Sequence, residues 1–202
     1  MKTTARITPA AIVLVSIAIG VSLIAAAPAK SAGNSNSAKK ARIARGEYLV
    51  TVGGCNDCHT PLKMGANGPE PDMSRMLSGH PQQLAMPPAP KLGNSPWVWI
   101  GAGSNTAFAG PWGVSFARNL TPDRVSGLGI WSEELSIKTI RTGRHWGTSR
   151  PILPPMPWQN YARMTDEDLK SVYAYLQSIK PIRNEVPDAI LAPPPPQQMA
   201  KK

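Results

Sequence analysis

Gly53-Gly54-Cys55-Asn56-Asp57-Cys58-His59-Thr60-Pro61 is the stretch on which the reading of this chain turns. Cys55 and Cys58 are its only two cysteines, and His59 follows at once. A disulfide framework for an exported domain of this size would need more cysteines at wider spacing. A structural zinc ion takes four ligands, usually from a second C-x-x-C or a histidine pair. There is no further cysteine, and His80 and His145 lie far apart in sequence. A thiol redox pair sits beside a βαβ pattern, whereas here a helical stretch precedes the motif and proline-rich sequence follows it. C-x-x-C-H is also the signature of covalent haem attachment, and that is the reading the neighbourhood leaves. Two intervening residues let both thiols reach the two vinyl groups on one haem edge as thioethers. The next residue then offers a neutral imidazole to the iron from the same side. The motif therefore predicts one haem c tethered through Cys55 and Cys58, with His59 as an axial iron ligand.

Moving toward the N-terminus, Ala38 to Val52 reads as a helix, with Ile43, Tyr48 and Val52 as apolar contacts and Gly53-Gly54 as its stop. Residues 30–38 are polar and small, the composition of a flexible linker. Before them, Lys2 and Arg6 precede an uncharged run rich in Ile, Val, Leu and Ala, and Ala27-Pro28-Ala29 forms an A-x-A cleavage pattern. Residues 1–29 thus read as an export signal, with an uncleaved membrane anchor as the rival, since about 20 apolar residues span a bilayer. Either way the domain is expected outside the cytoplasm, in the periplasm.

Toward the C-terminus, residues 60–111 are rich in Pro and Gly and poor in periodicity. They read as a long irregular excursion, with a short hairpin near Trp97-Val98-Trp99-Ile100, and a loop of that length wraps something or serves a function. Ser132 starts a second helix, with Glu133 and Glu134 in its first turn and Gly143 as its stop. Arg150-Pro-Ile-Leu-Pro-Pro-Met-Pro-Trp158 cannot be helical, because prolines at 151, 154, 155 and 157 remove donors and fix φ. Thr165 with Asp168 three residues on caps a last helix, whose stripe is Leu169, Val172, Tyr173, Leu176 and Ile179 and whose stop is Pro181. Its partner is expected to be the helix ahead of the motif. Beyond Pro187, residues 188–202 read as a disordered tail.

A haem has two axial positions. His80, His145 and several methionines compete for the second. Met156 stands out because Pro155 and Pro157 brace it on stiff, extended backbone; His145 is the next choice. Metal-bound histidine usually donates its other N–H to a carbonyl or carboxylate, and a carbonyl near Pro61 is the expected acceptor for His59. Arg141, Arg144 and Trp158 are candidates for the haem propionates, and Trp112 and Asn119–Asp123 for lining the haem.

Twenty-two Lys and Arg against twelve Asp and Glu give a net charge of +10. The basic residues are scattered and form no nucleic-acid motif, so nucleic acid is not the expected partner. An acidic docking surface on a redox protein is. No nucleophile, base and orienting group fall together near the motif, so no catalytic residue is assigned and the chain is not read as an enzyme.

Arg45-Gly-Glu-Tyr-Leu-Val-Thr-Val-Gly-Gly-Cys-Asn-Asp-Cys-His-Thr-Pro61, Gly110-Pro-Trp-Gly-Val-Ser-Phe-Ala-Arg-Asn-Leu-Thr-Pro-Asp123, Arg141-Thr-Gly-Arg-His145, Pro154-Pro-Met-Pro-Trp158 and Met164-Thr-Asp-Glu-Asp-Leu169 together resemble the bacterial class I cytochrome c family. Within it they are similar to the cytochrome c subunits of periplasmic dehydrogenases. The resemblance runs over about residues 42–187. It implies an all-α cytochrome c fold, with N- and C-terminal helices crossing around one haem, here in a domain spanning 39–187 with 60–111 as an insertion. It carries Cys55 and Cys58 over as attachment points and His59 and Met156 as axial ligands. It implies a one-electron carrier between a dehydrogenase or other donor and an oxidase-side acceptor. The alternative is a haem protein with an open distal site, peroxidase-like or gas-binding.

Overall fold

The computed structural model describes residues 32–193. The expected export signal, residues 1–29, and residues 194–202 lie outside the described residues. Helix α1 runs Ala32–Val52. It takes in most of the stretch expected as a linker: once the Ala38–Arg45 segment nucleates a helix, adding Ser and Asn turns costs little each. The buried face of α1 is not the expected one, however. Tyr48 and Val52 are exposed, and Gly46, Leu49 and Val50 are buried instead.

Gly46 explains the choice. It sits where α1 crosses α5 (Asp166–Leu176). A Cβ at Gly46 would collide with the Ser171 carbonyl and come within 2.7 Å of Tyr175 Cβ. The two helices pack this closely only because residue 46 has no side chain. Arg45 pairs with Asp168 at 3.0 Å, and Arg42 bridges Glu133 at 3.4 Å and Glu167 at 3.7 Å. These pairs are exposed and contribute little; burial holds the crossing. Val50, Leu77, Leu128 and Leu176 form the core, with Met76, Trp131, Val172 and Tyr175 against it. Each such aliphatic side chain contributes about 1.5–3 kcal/mol through its removal from water.

Short α2, Cys55–His59, follows α1. Helix α3, Glu133–Thr142, is capped by the Ser132 hydroxyl, which accepts from Leu135 N–H, and ends at left-handed Gly143. Helix α4 spans Trp158–Tyr161. The Thr165 hydroxyl caps α5 by accepting from Asp168 N–H.

The chain is not all-α. Among the described residues, six strands form two sheets. Strands β1 (Leu62–Gly65) and β2 (Gly68–Pro71) make a hairpin closed by Ala66-Asn67. Strands β3 (Ile100–Gly101), β4 (Ala107–Gly110), β5 (Gly113–Phe116) and β6 (Ile190–Leu191) form an antiparallel sheet in that order. So much of residues 60–111 is hairpin rather than irregular loop, and the segment expected as a tail from 188 begins with a strand. The strands are two to four residues long and full of Gly, Ala and Pro. Such runs show no alternation over the length a strand signal needs. Their pairing comes from two-residue turns: Ala66-Asn67 closes the first hairpin and Pro111-Trp112 the second.

Candidate functional site

Helix α2 presents the three motif side chains from one five-residue turn. It starts at left-handed Gly54 and ends on Thr60, whose N–H donates to Asn56. Thr60 is fully buried; its hydroxyl donates to Asn56 Oδ1 at 2.7 Å and accepts from Leu77 N–H at 2.9 Å. Asn105 Nδ2 donates to the Asp57 carbonyl at 2.6 Å. The segment after the motif therefore folds back and fixes it from beneath.

His59 is buried, and its Nδ1–H donates to the backbone carbonyl of Arg118 at 2.7 Å. The acceptor is thus not near Pro61, which follows His59 too closely in the chain to turn its carbonyl back onto the ring. What brings Arg118 in is a pairing of two distant segments. Gly79 N–H donates to the His59 carbonyl, His80 N–H to Ala117, and Leu120 N–H to Leu77. Gly79 has φ +78°, and a Cβ there would lie 2.6 Å from the Arg118 carbonyl carbon. Only glycine permits that approach. Asn119 anchors the next residue with four side-chain hydrogen bonds, to Ser126, Ile182 and Thr121. The polar turn 119–126 is therefore a clamp on the backbone that holds His59.

The protonation states follow. Burial lowers the pKa of His59, against a smaller opposing effect of its bond to Arg118. The ring is neutral, Nδ1 carries the proton, and Nε2 has a free lone pair and no hydrogen-bonding partner among the described residues. Burial pushes the Cys55 thiol up to about 11, and it also raises Cys58, with Asp57 adding to both. The two form no disulfide. A reactive thiol pair has the reverse signature, a lowered pKa.

His80 is no ligand. It is fully buried, and both ring nitrogens are engaged, Nδ1 with Thr106 Oγ1 and Nε2 with the Leu84 carbonyl, each at 2.9 Å. His145 packs edge-on to Trp131 and Trp146, at 5.5 and 5.9 Å between centroids. Met64 and Met73 are exposed, and Met76 packs on the core. Met156 is half-buried in a segment tied at both ends. Ser115 Oγ donates to the Pro154 carbonyl at 2.6 Å, and Tyr161 Oη donates to the Gly53 carbonyl at 2.6 Å. Tyr161 thereby brings the end of that segment against the start of the motif, where its ring lies beside Gly53 and Cys55 Sγ.

Of the propionate candidates, Arg141 is committed elsewhere, to Asp166 and the Ala162 carbonyl. Leu135, Ile137 and Ile140 of α3, with Ile152, Leu153 and Trp158, stay only half-buried. The Thr139 hydroxyl between them in sequence is buried without a partner among the described residues. Two protonated thiols, a neutral imidazole with one free nitrogen and incompletely covered apolar side chains are a donor set that fits a covalently held haem. Arg118, Gly79 and Tyr161 were not legible beforehand as parts of this site, since a backbone carbonyl, a turn and a single phenol carry no motif.

Such a site defines a class of protein, one that tethers haem through thioethers. The cytochrome c family profile matches residues 43–180, and the chain belongs to that family. It is accordingly an electron-transfer haem protein. It is 29% identical over 147 residues to the fructose dehydrogenase cytochrome subunit of Gluconobacter japonicus, covering 72% of this chain and 23% of that one. Over 161 residues it is 27% identical to the cytochrome c subunit of the quinone-dependent alcohol dehydrogenase of Gluconobacter oxydans, 78% of this chain and 26% of that one. The gluconate 2-dehydrogenase cytochrome c subunit of Pantoea cypripedii is 27% identical over 150 residues, 73% and 25% of the two chains. The chain thus spans about a quarter of the length of these relatives. No helix among the described residues is long and apolar enough to cross a membrane.

Proposed function

We propose that this chain is a periplasmic carrier of single electrons with one haem c, tethered by Cys55 and Cys58 and ligated by His59 and Met156. It takes electrons from a dehydrogenase or other donor and passes them to an oxidase-side acceptor. The observation that carries the reading is His59 itself. Its ring follows two protonated thiols in one helical turn, and Nδ1–H is committed to the Arg118 carbonyl, so that Nε2 is the nitrogen left to hold iron. When bound, haem supplies the reversible one-electron couple of its iron.

The chain's own residues do the rest. The Arg118 carbonyl fixes the tautomer and orientation of His59 and raises its basicity as a ligand. Asn119 and Gly79 hold that carbonyl in place. Met156 sits on backbone stiffened by Pro155 and Pro157 and pinned through Ser115 and Tyr161. With His59, the Met156 thioether would hold the iron, and such ligation would give a higher potential than two imidazoles. Export is supported by the basic start, apolar run and A-x-A pattern of residues 1–29. Relatives named as dehydrogenase cytochrome subunits support a dehydrogenase as the donor. The protonated state of Cys55 and Cys58 counts against a thiol oxidoreductase.

The test is Met156→Ala in the haem-loaded protein. The reduced wild type is expected not to bind carbon monoxide. The variant is expected to bind it and to have a lower potential. Carbon monoxide binding by the reduced wild type, with a potential unmoved by the substitution, would replace the carrier by a haem protein with an open distal site.

A further inference from the structure

Residues 135–165, the stretch that contains Met156, hold Lys138, Arg141, Arg144, Arg150 and Arg163 and not one acidic residue. Arg141 is paired with Asp166 at 2.6 Å. The other four form no ion pair among the described residues, although the described surface makes eight such pairs elsewhere or at Arg141. The same stretch of sequence carries Trp146, 42% exposed. Its ring stacks on Trp131 at 5.1 Å and meets His145 at 5.9 Å.

Three further facts make this a built feature. Trp146 has φ +56° and ψ +18°, a left-handed conformation that a bulky side chain rarely adopts. The turn that imposes it is closed by His145 N–H to the Arg150 carbonyl at 3.0 Å and by Gly147 N–H to Arg144 at 2.8 Å. The aliphatic stem of Lys138 lies against Gly147, and Arg144 Nη1 donates to the Ser149 carbonyl, so two of the cations are fixed against the turn that carries Trp146. The fold spends an unfavourable backbone conformation on presenting one aromatic ring from a turn whose flanking sequence is basic. Aromatic and Arg side chains are what binding surfaces concentrate at their centres.

We infer that Trp146, framed by Lys138, Arg144 and Arg150, is the surface on which an acidic redox partner protein docks. The inference rests on the carrier reading above and adds to it where the partner meets the chain. Charge complementarity selects the occupant. A second copy of this chain would bring like charges together, whereas an acidic surface is attracted over about 30 Å at 0.01 M salt and about 10 Å at 0.1 M. The turn at 145–147 also packs on α3 and leads directly into the segment that carries Met156, so the partner would meet the chain on the side of the proposed distal ligand.

The experiment adsorbs haem-loaded, full-length protein on a gold electrode carrying a carboxylate-terminated monolayer, and reads midpoint potential and interfacial electron-transfer rate against salt. Lys138→Glu with Arg150→Glu is compared with Lys63→Glu, a cation of the β1–β2 hairpin already paired with Glu70. The double variant is expected to lose adsorption and slow electron transfer by roughly tenfold at low salt. Its midpoint and visible spectrum stay unchanged, and Lys63→Glu behaves as wild type. Trp146→Ala is expected to slow transfer with adsorption retained. A reversible wave that the double variant and Trp146→Ala leave untouched overturns the docking surface, as does equal loss in the Lys63→Glu control or a wild type that sediments as a dimer and is made monomeric by Trp146→Ala. The absence of any reversible one-electron wave in wild type sinks the carrier reading instead.

Discussion

Replacing Asn119 by Ala removes four hydrogen bonds from a side chain that is 3% exposed, and the structure says how many of the partners are left stranded. Asn119 Nδ2 donates to Ser126 Oγ at 3.1 Å and to the Ile182 carbonyl at 2.7 Å. Its Oδ1 accepts from Thr121 N–H at 3.0 Å and Thr121 Oγ1 at 2.8 Å. Three of those partners have others. Ser126 Oγ still donates to Asp123 and accepts from Asn184 N–H. The Ile182 carbonyl still accepts from Thr121 Oγ1, which also accepts from Ile182 N–H. Only the Thr121 N–H, in a fully buried residue, is orphaned. One stranded donor costs about 1–3 kcal/mol and each of the three compensated bonds about 0.5–1 kcal/mol, so Asn119→Ala is expected to lose about 2.5–6 kcal/mol. Asn119→Asp keeps the acceptor toward Thr121 and loses the donors. It also buries a charge, so its deficit shrinks as pH falls and the carboxyl protonates. Urea unfolding of both variants and wild type, followed by far-ultraviolet circular dichroism at pH 7 and pH 5, measures this. A loss below about 1 kcal/mol for Asn119→Ala, or a deficit in Asn119→Asp that is the same at both pH values, would refute the clamp.

Gly46→Ala forces apart the α1–α5 crossing, because the added methyl meets backbone on the facing helix; a loss of about 3 kcal/mol or more is expected, or no soluble haem-loaded protein, read by thermal unfolding and haem content. His80 is buried as the neutral tautomer, since a carbonyl on one ring nitrogen can only accept and Nε2 must donate to Leu84. Burial holds its folded pKa below the unfolded value of about 6.5, with Arg75 adding to the shift. The unfolded chain therefore takes up a proton first, and stability falls as pH drops from about 7.5 through 6.5 toward the folded pKa, by up to about 1.4 kcal/mol per pH unit for this group. His80→Gln should flatten that slope in urea titrations between pH 7.5 and 5.5; an unchanged slope would show that His80 is not its source.

The sequence alone was decisive wherever the chemistry sits in neighbouring residues. Cys55, Cys58 and His59 lie in one short helix, so a five-residue motif pointed to haem without any fold, and the family match agrees with a haem protein. The α3 and α5 helices were legible for the same reason: Ser132 and Thr165 cap their own first turns, and Gly143 ends its own last one. The failures share a different cause. The all-α expectation missed six strands because strands of two to four residues carry no periodic signal and exist only through partners that can be far off, as β6 is from β5. The buried face of α1 was misread because it is set by a glycine, whose role is to be absent from a contact with a helix over a hundred residues away. The acceptor for His59 was sought beside it in the chain. Tertiary structure supplied it from Arg118, since a backbone carbonyl looks the same at every residue and only packing, here Gly79 against 117–118 and Asn119 in its clamp, decides which one faces a given ring.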